Sequence, residues 1–282
     1  MSLIGKTYRD LQYRLLVSRD VRSAIRALVS SGSLSEDEQD MVRAVSCRIH
    51  SNDGMYFPQR AVHYLSAGLS AIRCIERVLE QSGKTTGISR ILDLPCGYGR
   101  VLRFLRARFP DAKVTVSEID PEALRFCESE FSAQGVLSAK DVNTLDVSSR
   151  FDLIWCGSLL THLNEEAATD LLRWFYDHLL PDGRCVVTTH GQSSVKRLVD
   201  KQISYGLSSR SQQELLSGFY ESGYGYTDYE QHSGYGIAVV SRDRLMTIAR
   251  SVGQWDAVAF LDRAWDDHQD VYCFRRAGTS AG

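Results

Sequence analysis

Three short segments of the chain combine residue types that suit a polar, ribose-bearing ligand. The first is Asp93-Leu94-Pro95-Cys96-Gly97-Tyr98-Gly99-Arg100. Gly97 and Gly99 let the backbone turn tightly and lie close to a ligand, although a glycine pair is also what a plain turn uses. The second segment ends in Glu118, with Ile119 and Asp120 behind it. A carboxylate at the end of a strand can accept hydrogen bonds from both hydroxyls of a ribose. The third is Lys140-Asp141-Val142, where Asp141 can accept from an adenine amino group. Two histidines, His162 and His190, each stand just beyond a further apolar run. Imidazole titrates near neutral pH, so it is the favoured general base; each of the two also reads as a hydrogen-bonded structural histidine. His50, Asp53 and His232 fall in loop segments as further candidates, whereas His63 and His178 sit inside helical patterns and read as structural.

These groups act together only if a scaffold brings them to one edge. From residue 90 short apolar runs alternate with amphipathic stretches. Residues 91–94, 114–118, 151–156 and 185–189 read as strands. Residues 101–109 read as a helix stopped by Pro110-Asp111. Asp120 with Pro121 behind it marks another helix start. Asn164 caps a helix running to Leu180, with Glu165 and Glu166 favoured by its dipole, and Pro181-Asp182-Gly183 then turns the chain. This alternation predicts a parallel sheet covered on both faces, with ligands held outside the carboxyl ends of the strands. Residues 257–265 and 270–275 read as a hairpin that closes the sheet.

The first 87 residues read as helical. Leu11, Leu15 and Leu16 recur at helical spacing, as do Val21, Ile25 and Val29. Ser35 and Glu38 have the spacing of a capping box. Residues 61–80 carry Leu65, Leu69, Ile72, Ile75 and Leu79 near one face, after a loop at 50–58. Residues 82–87 are the expected boundary. This divides the chain into a helical cap or lid region, 1–87, and a ligand-binding domain, 88–282, with a Tyr-rich lid insertion at about 204–236.

The 282 residues carry a formal net charge of −2, which argues against a partner built on phosphate backbones, so no nucleic acid is expected. Lys6, Arg9, Arg14, Arg19, Arg22 and Arg26 outnumber Asp10 and Asp20 near the N-terminus. They form a solvated helix face or a docking face for an acidic partner or anionic substrate, and the helices serve as a cap, a homodimer surface or both. The seven cysteines include no Cys-x-x-Cys pair, so neither zinc nor a disulfide framework is suggested, and a reducing compartment fits. No run approaches the ~18 apolar residues of a membrane span. The start lacks the apolar core of a signal peptide and a glycine at position 2, so a cytoplasmic protein is expected.

Residues 93–99, Glu118, Asp141 and Phe151-Asp152-Leu153-Ile154-Trp155 resemble the successive motifs of class I S-adenosylmethionine-dependent methyltransferases, over about residues 89–190. The resemblance implies an α/β fold class: a Rossmann-like class I methyltransferase sheet, mostly parallel with a C-terminal antiparallel hairpin, plus an N-terminal helical cap. It implies S-adenosyl-L-methionine as cofactor, and no carboxylate cluster in the sequence suggests a catalytic magnesium site, so no metal is expected. Asp93 and the loop of Pro95, Cys96, Gly97, Tyr98, Gly99 and Arg100 would meet the amino acid part of the cofactor. Glu118, beside Ile119, would bind the ribose, and Asp141, beside Val142, the adenine. Gly157 and Ser158 open a stretch, 157–163, similar to the one that lines the methyl donor in small-molecule members. One departure is Pro95, where the family usually has glycine; proline fixes φ and removes an N–H that could bond the cofactor. Thr188-Thr189-His190-Gly191, Tyr235-Gly236 and residues 265–271 look like methyltransferases associated with glycan or secondary-metabolite pathways.

Methyl transfer proceeds by in-line attack, and positioning the reactants is worth about 7–11 kcal/mol. Tyr56 and Tyr98 are the expected aromatic faces for the sulfonium. An oxygen acceptor needs a base, for which His162 and His190 are the candidates, whereas an amine reacts as the free base. Tyr56, Tyr224 and Tyr226 are the expected substrate contacts, because tyrosine offers a flat apolar face with a polar tip. An unliganded surface loop is the alternative reading of the Tyr-rich stretch. Nucleobase amino-methylating enzymes carry an (Asn/Asp/Ser)-Pro-Pro-aromatic motif where this chain has Cys156-Gly157-Ser158-Leu159. A hydroxyl of a small molecule or glycan is therefore the expected acceptor. A nicotinamide dehydrogenase needs a third small residue where this chain has Leu102. A catalytically inactive domain serving as a binding scaffold is the remaining alternative, and Pro95 is the feature in its favour.

Overall fold

The computed structural model describes the backbone of residues 3–278 and the side chains of residues 15–278, so the readings on Lys6, Arg9, Asp10, Leu11 and Arg14 lie outside the described side chains. Three helices open the chain: α1 (Leu3–Ser30), α2 (Glu36–Ala44) and α3 (Ala61–Gln81). The capping box forms at α2, where the Ser35 hydroxyl accepts from Glu38 N at 3.2 Å and the Glu38 carboxylate accepts from Ser35 N at 2.9 Å. The apolar stripe of α3 buries Leu65, Leu69, Ile72, Ile75 and Leu79. These side chains share one core with Val21 of α1 and with Phe104, Val114 and Trp155 of the sheet region, so α3 is a layer of the main body.

The elements that follow are β1 (Arg90–Asp93), α4 (Leu102–Arg108), β2 (Lys113–Glu118), α5 (Pro121–Phe131), β3 (Gln134–Leu137), β4 (Phe151–Cys156), α6 (Glu165–His178), β5 (Leu179–Thr189), α7 (Gln192–Val199), α8 (Ser209–Ser222), β6 (Tyr224–Asp228), β7 (Gly236–Val240), α9 (Arg242–Val252), β8 (Trp255–Trp265) and β9 (Gln269–Arg276). The main sheet has seven strands in the order β3-β2-β1-β4-β5-β9-β8. The first five are parallel, and β9 and β8 form the antiparallel hairpin at one end. The strand order reverses between β1 and β4, and a crevice opens at such a switch. Asp120 and Asn164 cap α5 and α6, accepting from Glu122 N and Ala167 N.

Two local readings change. The helix expected to reach Leu180 stops at His178, because Leu179 already pairs with Phe151 of β4. The turn at 181–183 is a bulge within β5, since the next residue paired with β4 is Arg184, opposite Leu153. The Tyr-rich stretch is also more regular than its composition suggests. β6 and β7 pair as a separate two-stranded sheet, and α7, α8 and the hairpin enclose a small core of Val195, Leu198, Leu215, Phe219, Ile237 and Val239. Among the described residues, no helix is long and apolar enough to cross a membrane.

Candidate functional site

A cavity of about 720 Å³ opens at the carboxyl edge of β1, β2, β3 and β4, beside the switch in strand order. Pro95, Glu118, Ile119, Asp141 and Val142 all lie on its wall, so five of the expected cofactor residues converge there. Leu159 and Leu163, from the segment after β4, and the start of α6 form the opposite side. The loop between β6 and β7, residues 231–235, closes the remaining side.

Glu118 organises the floor. The residue is only 9% exposed. Oε1 accepts from the N–H of Ile119 at 2.8 Å and of Asp120 at 3.2 Å, and Oε2 accepts from Gly97 N at 2.9 Å. A carboxylate offers about four acceptor positions, so one position on Oε2 is left for a ligand donor. The Gly97 contact ties the loop after β1 to the end of β2. In that loop Gly97 has φ +51° and open space where a side chain would point. Gly99, at φ +80°, has no such space, since a Cβ there would lie 2.4 Å from the Phe131 ring. Gly97 thus has open space beside it, and Gly99 is the packing glycine.

Asp93, at the end of β1, is 1% exposed and its Oδ2 has no hydrogen-bond partner. Burial, and then the charge of Glu118, push its carboxyl well above the usual carboxylate range. A buried acid without a partner is suited to a cationic ligand group. Asp141 caps a single 3-10 turn, residues 142–144, accepting from Asn143 N at 2.9 Å, and stays exposed on the cavity wall.

The segment after β4 is held by a closed ring of hydrogen bonds. Ser158 has φ +64°, uncommon for a residue with a side chain. Its N–H donates to the Thr188 hydroxyl at 2.7 Å, and Thr188 donates to the Gln269 carbonyl at 2.6 Å. The Gln269 amide then donates back to the Ser158 hydroxyl at 3.0 Å. Four residues further on, His162 docks on the edge of β7. Its Nδ1–H donates to Gly236 O at 2.7 Å, which leaves Nε2 as the nitrogen with a free lone pair. Burial lowers its pKa below 6.5, so the ring is neutral at pH 7. The ring stacks on Tyr235 at 4.8 Å. His190 makes the same kind of bond two residues along, Nδ1 to Ala238 O at 3.2 Å. Burial, and then the charges of His268 and His162, lower its pKa to about 3.

Residues 91–183 match a family described as a methyltransferase domain. This stretch is thus similar to a methyltransferase domain, and the sheet around it has the class I methyltransferase fold. The domain is 25% identical over 109 residues to malonyl-acyl-carrier-protein O-methyltransferase of Acetivibrio thermocellus, covering 38% of each chain. It is 31% identical over 121 residues to the protein of the same name from Laribacter hongkongensis, covering 39% of this chain and 40% of that one. The match thus spans about two fifths of the length of these relatives. In three dimensions the chain is similar to an S-adenosylmethionine-dependent methyltransferase of Clostridium acetobutylicum, with a TM-score of 0.51, 13% identity, and coverage of 76% of this chain and 92% of that one. At that identity the likeness shows the fold alone.

Several expected residues of the methyltransferase domain lie off the cavity wall. The Cys96 thiol points to Gly97 O at 3.4 Å, beside the Cys127 thiol on the same carbonyl at 3.3 Å. Tyr98 stacks on His50 at 4.8 Å and donates to Asp120 at 2.9 Å, so its ring lies over α5. The Arg100 guanidinium lies 5.8 Å from the Trp265 ring, on the α3 side of the sheet. Gly157 packs on the Trp155 indole, which a Cβ would approach to 2.9 Å. Tyr56 is buried and donates to Asp20 at 2.5 Å. Tyr224 is buried with its hydroxyl on Leu163 O at 2.8 Å, and Tyr226 bonds Asp228. His190 is buried under Tyr205, ring to ring at 4.6 Å. Asp53 accepts from Tyr64 at 2.7 Å, whereas His232 does reach the cavity wall. Leu159 and Leu163, from the stretch 157–163 expected beside the methyl donor, are on the wall, and the wall residue to which sequence reasoning gave no contact is chiefly Tyr235. The two leucines follow from their place after β4, and Tyr235 from its place in the hairpin loop.

Proposed function

We propose that the chain transfers a methyl group from S-adenosylmethionine to a hydroxyl of a small molecule or glycan. The observation that carries this reading is the acidic set at the ends of consecutive strands. Glu118 and Asp141 lie on the cavity wall, and Asp93 lies buried without a partner for Oδ2 beside the Gly97 loop. These residues fit the cofactor's parts: a cationic amino group for Asp93, a ribose hydroxyl for Glu118 and an adenine amino group for Asp141. When bound, the cofactor supplies a methyl carbon on a sulfonium, which leaves as a neutral thioether. The chain's part is to fix the acceptor in line and to take its proton, for which His162 offers the Nε2 lone pair of a neutral imidazole. The relatives' name, an O-methyltransferase, supports an oxygen acceptor. In this reading the insertion at about 204–236 supplies the lid through residues 231–235.

Calorimetric titration of the purified protein with S-adenosylmethionine and with its demethylated product, with NADH as a control, tests this. Saturable binding of both sulfur ligands, lost in Glu118→Ala, is the expected result. Methyl transfer to hydroxylated acceptors should then be detectable. NADH binding alone would overturn the reading, and a folded protein that binds none of the three would be left with the scaffold role.

A further inference from the structure

Methyl transfer removes a positive charge from sulfur, so a group that favours a sulfonium over a thioether both holds the substrate cofactor and lets the product go. An aromatic face does this, because its negative quadrupole attracts a cation more strongly than it attracts a neutral thioether. The two rings expected in that role are committed elsewhere. Tyr98 lies against His50, and Tyr56 is buried with its hydroxyl on Asp20.

Among the described residues, Tyr235 is the one tyrosine, phenylalanine or tryptophan on the cavity wall. It closes the loop between β6 and β7 and lines the same cavity as Pro95, Glu118 and Leu159. One face of its ring is covered by the His162 imidazole, at 4.8 Å between centroids and 23° between planes. Tyr229 and His232 flank the ring at 5.8 and 6.4 Å, and the residue is nevertheless 42% exposed, so part of the ring is open. Its place is fixed from both sides: Tyr235 O accepts from Tyr229 N at 3.1 Å, and the next residue, Gly236, donates its N–H to His162 O at 3.1 Å.

We propose that the open part of the Tyr235 ring is the surface that the cofactor's sulfonium meets, making Tyr235 the residue that discriminates the charged methyl donor from its neutral product. The proposal rests on the cofactor reading above and goes beyond it by assigning the donor–product preference to one ring. His162 behind the ring is neutral, so it brings no competing cation to the other face. The preference contributed by one such contact is roughly two- to thirty-fold in affinity.

The test is the ratio of dissociation constants for S-adenosylmethionine and S-adenosylhomocysteine, measured by titration calorimetry on the parent chain and on Tyr235→Leu, Tyr235→Gln and Tyr235→Phe. The expected result is weaker binding of the sulfonium in Leu and Gln by roughly two- to thirty-fold, a smaller change for the thioether, and the parental ratio in Phe. A ratio is insensitive to loss of folded protein, which lowers the stoichiometry for both ligands alike. If Leu and Gln weaken both ligands equally, the ring serves the adenosine or the fold and the proposal is overturned, as it is if neither affinity changes. A parent chain that binds neither ligand overturns the cofactor reading and this proposal together, so the two failures are distinguishable.

Discussion

Replacing Asp93 with asparagine keeps the shape of the side chain and removes its charge. In the free protein the carboxyl is 1% exposed, its Oδ2 is unpartnered, and burial followed by the Glu118 charge raises its pKa well above 3.8. The sign of the stability effect follows. The folded protein holds this proton more tightly than the unfolded chain, so the contribution is full below about pH 3.8 and is lost as pH rises through the raised folded value. Asparagine has no proton to lose. Scanning calorimetry at about pH 8 should therefore find Asp93→Asn unfolding at the same temperature as the parent or higher, with the gap closing toward about pH 4. Cofactor affinity should move the other way. A hydrogen bond to a charged group is worth about 1.5–3 kcal/mol, so losing the one to the cofactor's amino group should raise Kd about 10- to 150-fold. Binding by the parent should also release a proton wherever Asp93 is protonated beforehand, seen as a dependence of the binding heat on the buffer. A variant that binds S-adenosylmethionine within about threefold of the parent, or that is less stable at about pH 8, would refute the reasoning and make Asp93 a structural acid.

His162→Gln should lower kcat by about 10²- to 10⁴-fold with cofactor Kd unchanged. Since burial lowers the His162 pKa and the base must be unprotonated, the acid limb of the parent's pH–rate profile should lie below pH 6.5; a limb above that value would point to another base. Gln269→Leu should cost about 0.5–1.5 kcal/mol for each of the two hydrogen bonds lost at Ser158 and Thr188, a fall in Tm on the order of 5 °C. It should also lower kcat for the acceptor more than it weakens the cofactor, because the ring it breaks positions the segment that leads to His162.

What could be read in the chain depended on how local each signal is. The capping box at Ser35, the Asp120-Pro121 start and the apolar runs of β1, β2 and β4 are each written within a few residues, and each appears where the pattern placed it. Glu118 was legible for the same reason: a carboxylate at the end of a recognisable strand in a parallel sheet has only one edge to occupy. The hairpin of β6 and β7 was not legible, because its glycines act by close approach rather than by flexibility. A Cβ at Gly225 would lie 1.9 Å from Leu215 O, and one at Gly236 would lie 1.9 Å from Thr227 O. Tyrosine and glycine in that density read as a polar lid, whereas Tyr224 packs inward and only the loop at 231–235 faces the cavity.

The groups nearest the proposed chemistry are set by contacts that no local pattern carries. Gly236 fixes the His162 tautomer from 74 residues away, and Gln269 reaches Ser158 across 111. Both contacts arise because β7 and the turn before β9 return to the carboxyl edge of β4 and β5, which the strand order alone decides. A histidine beyond a strand is thus only a candidate base until the topology supplies the carbonyl that fixes which nitrogen keeps its lone pair. That carbonyl exists for both His162 and His190, and the surroundings then separate them. The His162 ring backs onto a tyrosine on the cavity wall, while the His190 ring is buried under Tyr205 and His268. The same strand edge therefore presents one imidazole beside the site and uses the other to hold the insertion in place.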